Sequence, residues 1–231
     1  LEEEENKNLQ LTIGRIMWGE NYSDDILFDL TNHLNIGSEK IIDPIERERL
    51  IALNLNASKK AKLSTAYELS LHYLNHALSQ VDKFTDPWNE IFSLTKQVYR
   101  ELTELYYLNV QFEKMEESIS IFLKHTHDLS EVMHSYRLLI NYYTTVSNFE
   151  KAIHAGMEAM KYFNIILPTK DISSFTEKEF KKIEHYRRGH SVESLLSAPE
   201  MKDESKKLAL EIMSNLMPAA YLYNSELWTY I

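Results

Sequence analysis

Three short breaks in a helical pattern constrain the fold of this 231-residue chain more than any other feature. Each break separates two stretches of about 16 residues in which apolar and small residues recur at helical spacing. An aromatic residue stands just inside each second stretch, at Tyr67, Phe112 and Phe149, with spacings of 45 and 37 residues. A repeated helix–break–helix pattern of this kind is typical of a helical repeat.

The scarcity of turn residues supports the same conclusion. Only five Gly and five Pro occur, well below the combined share of roughly 12% in average proteins. We therefore predict an all-α fold, a superhelical stack of antiparallel helix pairs that are degenerate tetratricopeptide-like repeats, with capping helices at both ends. In the third pair, the small residues Ala152, Gly156 and Ala159 predict a close approach of its two helices. An irregular helical bundle is the alternative.

Helix start signals place the predicted boundaries. The segment Asp43-Pro44-Ile45-Glu46 combines an N-cap Asp, a Pro at the first helical position and a capping-box Glu, and predicts a helix to about Lys62. Asp86-Pro87 repeats the signal and predicts one unbroken helix to about Leu108. Asn148 is expected to cap the second helix of the third pair.

Later signals are of the same kind. We expect Ser130 and Ser225 to act as N-caps, and Thr176 with Glu179 to form a capping box that opens a basic helix. Pro218 is expected to end the preceding helix. Three regions follow: N-terminal capping helices at 1–42, three tetratricopeptide-like helix pairs at 43–168, and C-terminal helices at 169–231. The last predicted helix still continues at Ile231, which predicts a segment of a longer chain.

Charge and composition exclude several functional classes. Asp and Glu number 35 against 25 Lys and Arg, a formal charge of −10, and phosphate binding needs a basic face. We therefore expect no nucleic acid partner. No Cys is present, so thiol catalysis and Cys-ligated metals are excluded. No apolar run reaches the roughly 18 residues of a membrane span. We expect a cytoplasmic protein with no membrane partner.

The first helix of each predicted pair would face the concave surface of a superhelical stack. Polar residues that share this face form a candidate protein- or peptide-binding groove. Its members are Lys59, Lys62, Gln97, Arg100, Glu104, His134, Arg137 and Asn141. Arginine in such a groove could bind a carboxylate through its bidentate fork. The alternative is a solvated groove crossed by salt bridges such as Arg100–Glu104.

Other polar and aromatic patterns have structural interpretations. His72 and His76 share one helix face as metal ligands could, but no third ligand is evident, and His125 and His127 are two apart. The tyrosine stripe that includes Tyr99 and Tyr106 is interpreted as core. The basic run 178–188 is interpreted as a solvated helix face, because glutamates are interspersed with its cations. We therefore predict no metal and no cofactor.

Several segments resemble the helical region of one kind of large bacterial signalling protein. They are 13–15 (Ile-Gly-Arg), 34–47, 60–67, 191–196 and 217–221. In that family a serine/threonine kinase-like domain and an AAA/STAND-type ATPase domain precede a tetratricopeptide-like region, and GAF or PAS modules and often a histidine kinase follow it. The resemblance runs from about residue 9 to the end, entirely within the helical region.

The resemblance implies a non-catalytic interaction and regulatory segment of a multidomain ATPase or kinase. The chain itself has no phosphate-binding loop, no His-Arg-Asp catalytic loop and no Asp-Phe-Gly segment. We expect it to dock a domain of its parent protein or an external partner. ATP binding is implied only for that parent. An independent peptide-binding adaptor and a small-molecule sensor remain as alternatives.

Overall fold

The computed structural model describes residues 2–19 and 23–231, and within them it contains helices and no β-strand. The helices up to residue 125 are α1 (Glu2–Trp18), α2 (Leu27–Gly37), α3 (Pro44–Leu63), α4 (Tyr67–Val81), α5 (Pro87–Glu90), α6 (Phe92–Leu108) and α7 (Phe112–His125). Those after residue 125 are α8 (Leu129–Thr145), α9 (Phe149–Lys161), α10 (Ile172–Arg188), α11 (Val192–Leu196), α12 (Glu204–Tyr223) and α13 (Ser225–Tyr230). The all-α prediction is confirmed.

The chain forms two compact units, 1–125 and 126–231. The division lies inside the region 43–168 for which three helix pairs are predicted, and it leaves two of those pairs in the first unit. Within the described ranges, every helix is too short or too polar to cross a bilayer.

The three predicted breaks form one kind of turn. Thr65, Val110 and Ser147 have φ angles of 57°, 60° and 59°, in the left-handed region. The next residue in each turn donates its backbone N–H to the carbonyl five positions earlier, as in a Schellman motif. These donor–acceptor pairs are Ala66–Ala61, Gln111–Tyr106 and Asn148–Tyr143, at 3.0, 2.8 and 2.8 Å. The aromatic residues that follow begin α4, α7 and α9, as predicted.

Buried hydroxyl groups join the helices of the first two pairs. Ser58 Oγ of α3 lies 2.9 Å from Ser70 Oγ of α4. Thr103 Oγ1 of α6 lies 3.0 Å from Ser118 Oγ of α7. Short side chains at these four positions allow a close approach of the helices, and each hydroxyl that leaves water has a hydrogen-bonding partner.

Close contact between α1 and α2 depends on glycine. A Cβ at Gly14 would lie 2.7 Å from the side chain of Leu34, and a Cβ at Gly37 would lie 2.5 Å from Leu11 Cβ. Leu11 and Leu34 are both buried in the apolar core of the first unit. The absence of a side chain at the two glycines is therefore what allows this core to form.

The second unit is built on α8, α9 and α12, which pack against one another. The interpretation of Gly156 as a contact point between α8 and α9 is wrong. A Cβ at Gly156 would lie 2.7 Å from Leu216 Cδ2, so this glycine makes room for α12. Leu216 is fully buried there. The partner of Gly156 is distant in sequence, and periodicity within the pair could not identify it.

Two start signals are wrong in the second unit, and a third is displaced by one residue. The N-cap of α8 is Asp128, whose carboxylate accepts the backbone N–H of Glu131, and not Ser130. The helix α10 begins at Ile172, four residues before the expected capping box, and the Thr176 hydroxyl donates to the Ile172 carbonyl at 3.0 Å. Asn224 caps α13 in place of Ser225.

Two further helix predictions are wrong, the unbroken course of the helix that begins at Pro87 and the end of the helix before Pro218. The helix predicted from Pro87 to Leu108 is interrupted at Ile91, whose backbone leaves the helical region while its side chain is buried. The helix α12 continues through Pro218 to Tyr223. Proline removes one N–H donor, but Ala219 and Ala220 directly after it are fully buried. Tertiary packing therefore overrides the local preference at both places.

We predict that Gly37→Ala destabilises the first unit. The added Cβ would meet not only Leu11 but also the Lys7 backbone carbonyl, at 2.7 Å, so α1 must move. Overpacking of this kind costs about 2 kcal/mol. The measurement is the free energy of unfolding in urea. Gly189→Ala is the control, because its Cβ would have its nearest neighbour at 3.7 Å. Equal stability of the two variants would refute the prediction.

We also predict that Val110→Gly stabilises the protein. A β-branched residue is strained in the left-handed region, by about 1–2 kcal/mol, and Val110 is exposed, so little packing is lost. The greater conformational freedom of glycine in the unfolded chain offsets about 0.5–1 kcal/mol of the stability that is gained by relieving this strain. The control is Val146→Gly, at a turn residue with φ of −87°. No left-handed strain is relieved there, so only the destabilising freedom of glycine in the unfolded chain remains. A rise in the unfolding temperature of Val146→Gly as large as that of Val110→Gly would contradict the explanation.

Candidate functional site

Lys62 of the predicted groove belongs to an ion-pair cluster between α3 and α6. Its Nζ lies 2.5 Å from Glu101 Oε2 and 3.1 Å from Glu104 Oε2. The side chains of Lys62 and Glu101 are 23% and 8% exposed. Burial of the ammonium group lowers the pKa of Lys62, but the hydrogen bonds and charges of the two glutamates outweigh it and raise this pKa. The cluster holds the two helices together.

The other predicted groove residues of the first unit are more accessible. Lys59 and Arg100 are exposed, and Gln97 donates to the Ser93 carbonyl at 3.2 Å. The salt bridge of Glu104 is with Lys62, where the sequence suggested Arg100 as its partner. The side chain of Arg100 is thus exposed on α6.

The predicted groove residues His134, Arg137 and Asn141 lie on α8, and the first two are near α12. Arg137 Nη2 lies 2.9 Å from His134 Nδ1, and Arg137 Nη1 lies 3.8 Å from Glu211 Oε2. Both side chains line a small cavity of about 100 Å³ between these helices. Asn141 is half-buried further along α8. The structure therefore brings His134 and Arg137 together beside a helix of the same chain.

A cleft that sequence analysis missed lies in the first unit, between α4, α6 and α7. Its volume is about 300 Å³, and its lining residues are Leu78, Asp82, Tyr99, Leu102, Tyr106, Lys114, Glu117, Ser118 and Ile121. The tyrosine stripe predicted as core forms part of this lining, with Tyr106 buried and Tyr99 half-buried. The seven-residue spacing of these tyrosines placed them on one helix face. The charged groups come from elsewhere, Lys114 and Glu117 from α7 and Asp82 from the residue after α4.

Both phenol groups in this cleft are neutral at physiological pH. Burial raises the pKa of Tyr99, and the nearby Asp82, Tyr106 and Glu117 raise it further. Burial and Glu117 also raise the pKa of Tyr106. Burial raises the pKa of the Asp82 carboxyl group against the opposing charge of Lys83. The two phenols thus lie close enough to carboxylate charges for those charges to raise the pKa of each phenol.

A lysine, an asparagine and an indole ring lie beside these groups. Lys114 Nζ lies 5.8 Å from the centre of the Tyr106 ring, a cation–π distance. The Tyr106 hydroxyl donates to Asn75 Oδ1 at 3.4 Å. The Trp88 ring lies 5.2 Å from that of Tyr99 and stacks on His125 at 4.2 Å. The cleft is therefore continuous with an aromatic cluster.

The remaining candidate features are the histidine pairs and the basic run. The His72 and His76 rings meet edge-to-face with centroids 4.7 Å apart. In the described ranges, no three or more His, Asp or Glu side chains are arranged to hold a metal ion. The basic run lies on α10, where Lys181 and Lys182 pair with Glu177 and Glu179, each at 2.6 Å.

Comparison with known proteins gives one match. The chain is 22% identical over 218 residues to "Hybrid signal transduction histidine kinase G" of Dictyostelium discoideum. The aligned part covers 84% of this chain and 6% of that protein, so the chain spans a small fraction of its relative. No family model and no solved structure matches. The similarity indicates a signal-transduction context.

We predict that Lys62→Met destabilises the protein by about 2–3 kcal/mol, somewhat less than the roughly 3–5 kcal/mol for breaking a fully buried pair. The substitution leaves the Glu101 carboxylate buried without its cation. Urea unfolding at pH 7 measures the loss.

Lys59→Met, one turn earlier on the exposed face of α3, is the matched control. It should change the free energy of unfolding by no more than about 0.5 kcal/mol. Adding Glu101→Gln to Lys62→Met should restore part of the stability, since the buried group is then neutral. A loss in Lys59→Met equal to that in Lys62→Met would contradict the ion-pair explanation.

Proposed function

We propose that this chain is a non-catalytic interaction and regulatory region of a multidomain signalling kinase. The observation that carries the proposal is the match to a signal transduction histidine kinase, which extends over 84% of the chain but only 6% of that protein. A helical segment that corresponds to so small a part of a large protein is expected to act through contacts with other domains. ATP chemistry would belong to the parent protein, as the family resemblance of the sequence implies.

The finer fold proposal is a superhelical stack of three tetratricopeptide-like pairs with capping helices. It is supported by the recurrence of one turn geometry at Thr65, Val110 and Ser147. It is further supported by the packing of α3 on α4, α6 on α7 and α8 on α9. Each pair would then present one surface to a partner, and exposed groove residues such as Arg100 would contribute to that surface.

In this proposal the chain docks a domain of its own parent and transmits the state of that domain. A docking surface transmits a signal only if it binds two states of its partner with different affinity. The nucleotide state of the implied ATPase domain is the first candidate for that difference.

The test is a fluorescence titration of the 231-residue chain with the ATPase domain of its parent, with and without ATP. A coupling of about tenfold in affinity, equivalent to roughly 1.4 kcal/mol, is expected for such a relay. Arg100→Glu should weaken binding, whereas Lys83→Glu, also exposed, should leave it unchanged. Absence of binding in both nucleotide states would reject internal docking and favour an external adaptor.

A small-molecule sensor is the second candidate, and the cleft between α4, α6 and α7 favours it. Its volume of about 300 Å³ lies at the lower end of the usual range for ligand pockets. Native mass spectrometry of the purified chain is the test. A small molecule that is retained by the purified chain and lost in the Tyr99→Ala variant would support the sensor. A measured mass equal to that of the polypeptide alone would count against it.

A further inference from the structure

The cleft between α4, α6 and α7 has a defined chemical character. Its base is apolar, formed by Leu78, Leu102 and Ile121. Its polar groups are the phenols of Tyr99 and Tyr106, the carboxylates of Asp82 and Glu117, and the ammonium group of Lys114. Two negative charges and one positive charge thus meet over aromatic rings and an apolar base.

The surroundings increase the negative potential of the cleft. The first unit contains 21 Asp and Glu residues against 13 Lys and Arg residues, a formal charge of −8. A cleft with low-dielectric walls concentrates the field of such a charge distribution. Positively charged segments are therefore attracted towards it.

The chain itself already places a cation against one of the aromatic walls. Lys114 Nζ lies 5.8 Å from the centre of the Tyr106 ring, which is where an ammonium or guanidinium group is attracted by the ring quadrupole. Tyr99 is the second wall, and its phenol group is within the electrostatic influence of both Asp82 and Glu117. The charge of a second cation placed between the Asp82 and Glu117 carboxylates would be balanced by them, and the two tyrosine rings would contact it.

We infer that this cleft binds a basic side chain presented by a peptide segment of a partner protein. The cationic head would lie between Asp82 and Glu117 against the tyrosine rings, and its aliphatic stem would contact the apolar base. Arginine suits the site best, because its planar group forms bidentate hydrogen bonds with carboxylates and stacks on aromatic rings. The inference rests on the proposed interaction role and names the chemistry of the partner.

The experiment uses three heptapeptides of Gly and Ser with arginine, lysine or citrulline at the centre. Citrulline has nearly the shape of arginine without its charge. Binding to the isotope-labelled 231-residue chain is followed by NMR chemical shifts. We expect the arginine and lysine peptides to shift resonances of Asp82, Tyr99 and Glu117, with arginine binding more tightly. Citrulline should bind at least tenfold more weakly, and added salt should weaken the charged peptides.

The variant Asp82→Asn/Glu117→Gln should weaken arginine-peptide binding at least tenfold. Glu113→Gln is the matched control, because Glu113 is exposed one turn before Glu117 on the same helix. The substituted carboxylates lie at the surface, and thermal unfolding checks that the fold is retained. Equal binding of citrulline and arginine, shifts that map elsewhere, or an equal loss in Glu113→Gln would each overturn the inference.

This assay contains no domain of the parent protein, so its result is independent of the docking test above. If the chain binds the ATPase domain but the arginine peptide does not perturb the cleft, the inference fails and the proposed function stands. If the peptide binds the cleft and the ATPase domain does not bind, the partner is external.

Discussion

The backbone hydrogen bond that closes each helix-pair turn is the interaction on which the rest of the structure depends. It joins residues five positions apart, such as Ala66 and Ala61, and requires a left-handed residue between the two helices. None of the three left-handed positions is glycine. The side chains at these positions disfavour the left-handed conformation, so each turn is locally strained. The packing of the two helices that the turn connects offsets this strain energy.

Once the turns set the pairs, a few polar contacts determine how neighbouring helices meet. Lys62 reaches Glu101 and Glu104 on α6, while hydroxyl groups join the helices inside the first two pairs. Glu101 and the hydroxyl groups are buried, and a buried polar group without a partner is costly. They therefore specify one alignment of the helices among the several that apolar packing alone would allow.

The same alignment creates the cleft of the first unit. Tyr99 and Tyr106 come from α6, Lys114 and Glu117 from α7, and Asp82 from just beyond α4. No two of these helices carry the whole site. Its lining combines apolar side chains with charged groups, which is the mixed character that the proposed recognition of a basic side chain requires.

Local chemistry allowed the sequence alone to determine the helical class, the three breaks and the N-caps Asp43 and Asn148. A cap or a turn depends on residues a few positions apart, so such signals can be recognised in the amino-acid sequence. The interruption at Ile91 and the passage of α12 through Pro218 were decided by burial. The partner of Gly156, the ion pairs of Lys62 and the cleft joined residues separated by tens of positions. Only tertiary structure decides such contacts, because their energy depends on which helices meet and not on the identity of neighbours in sequence.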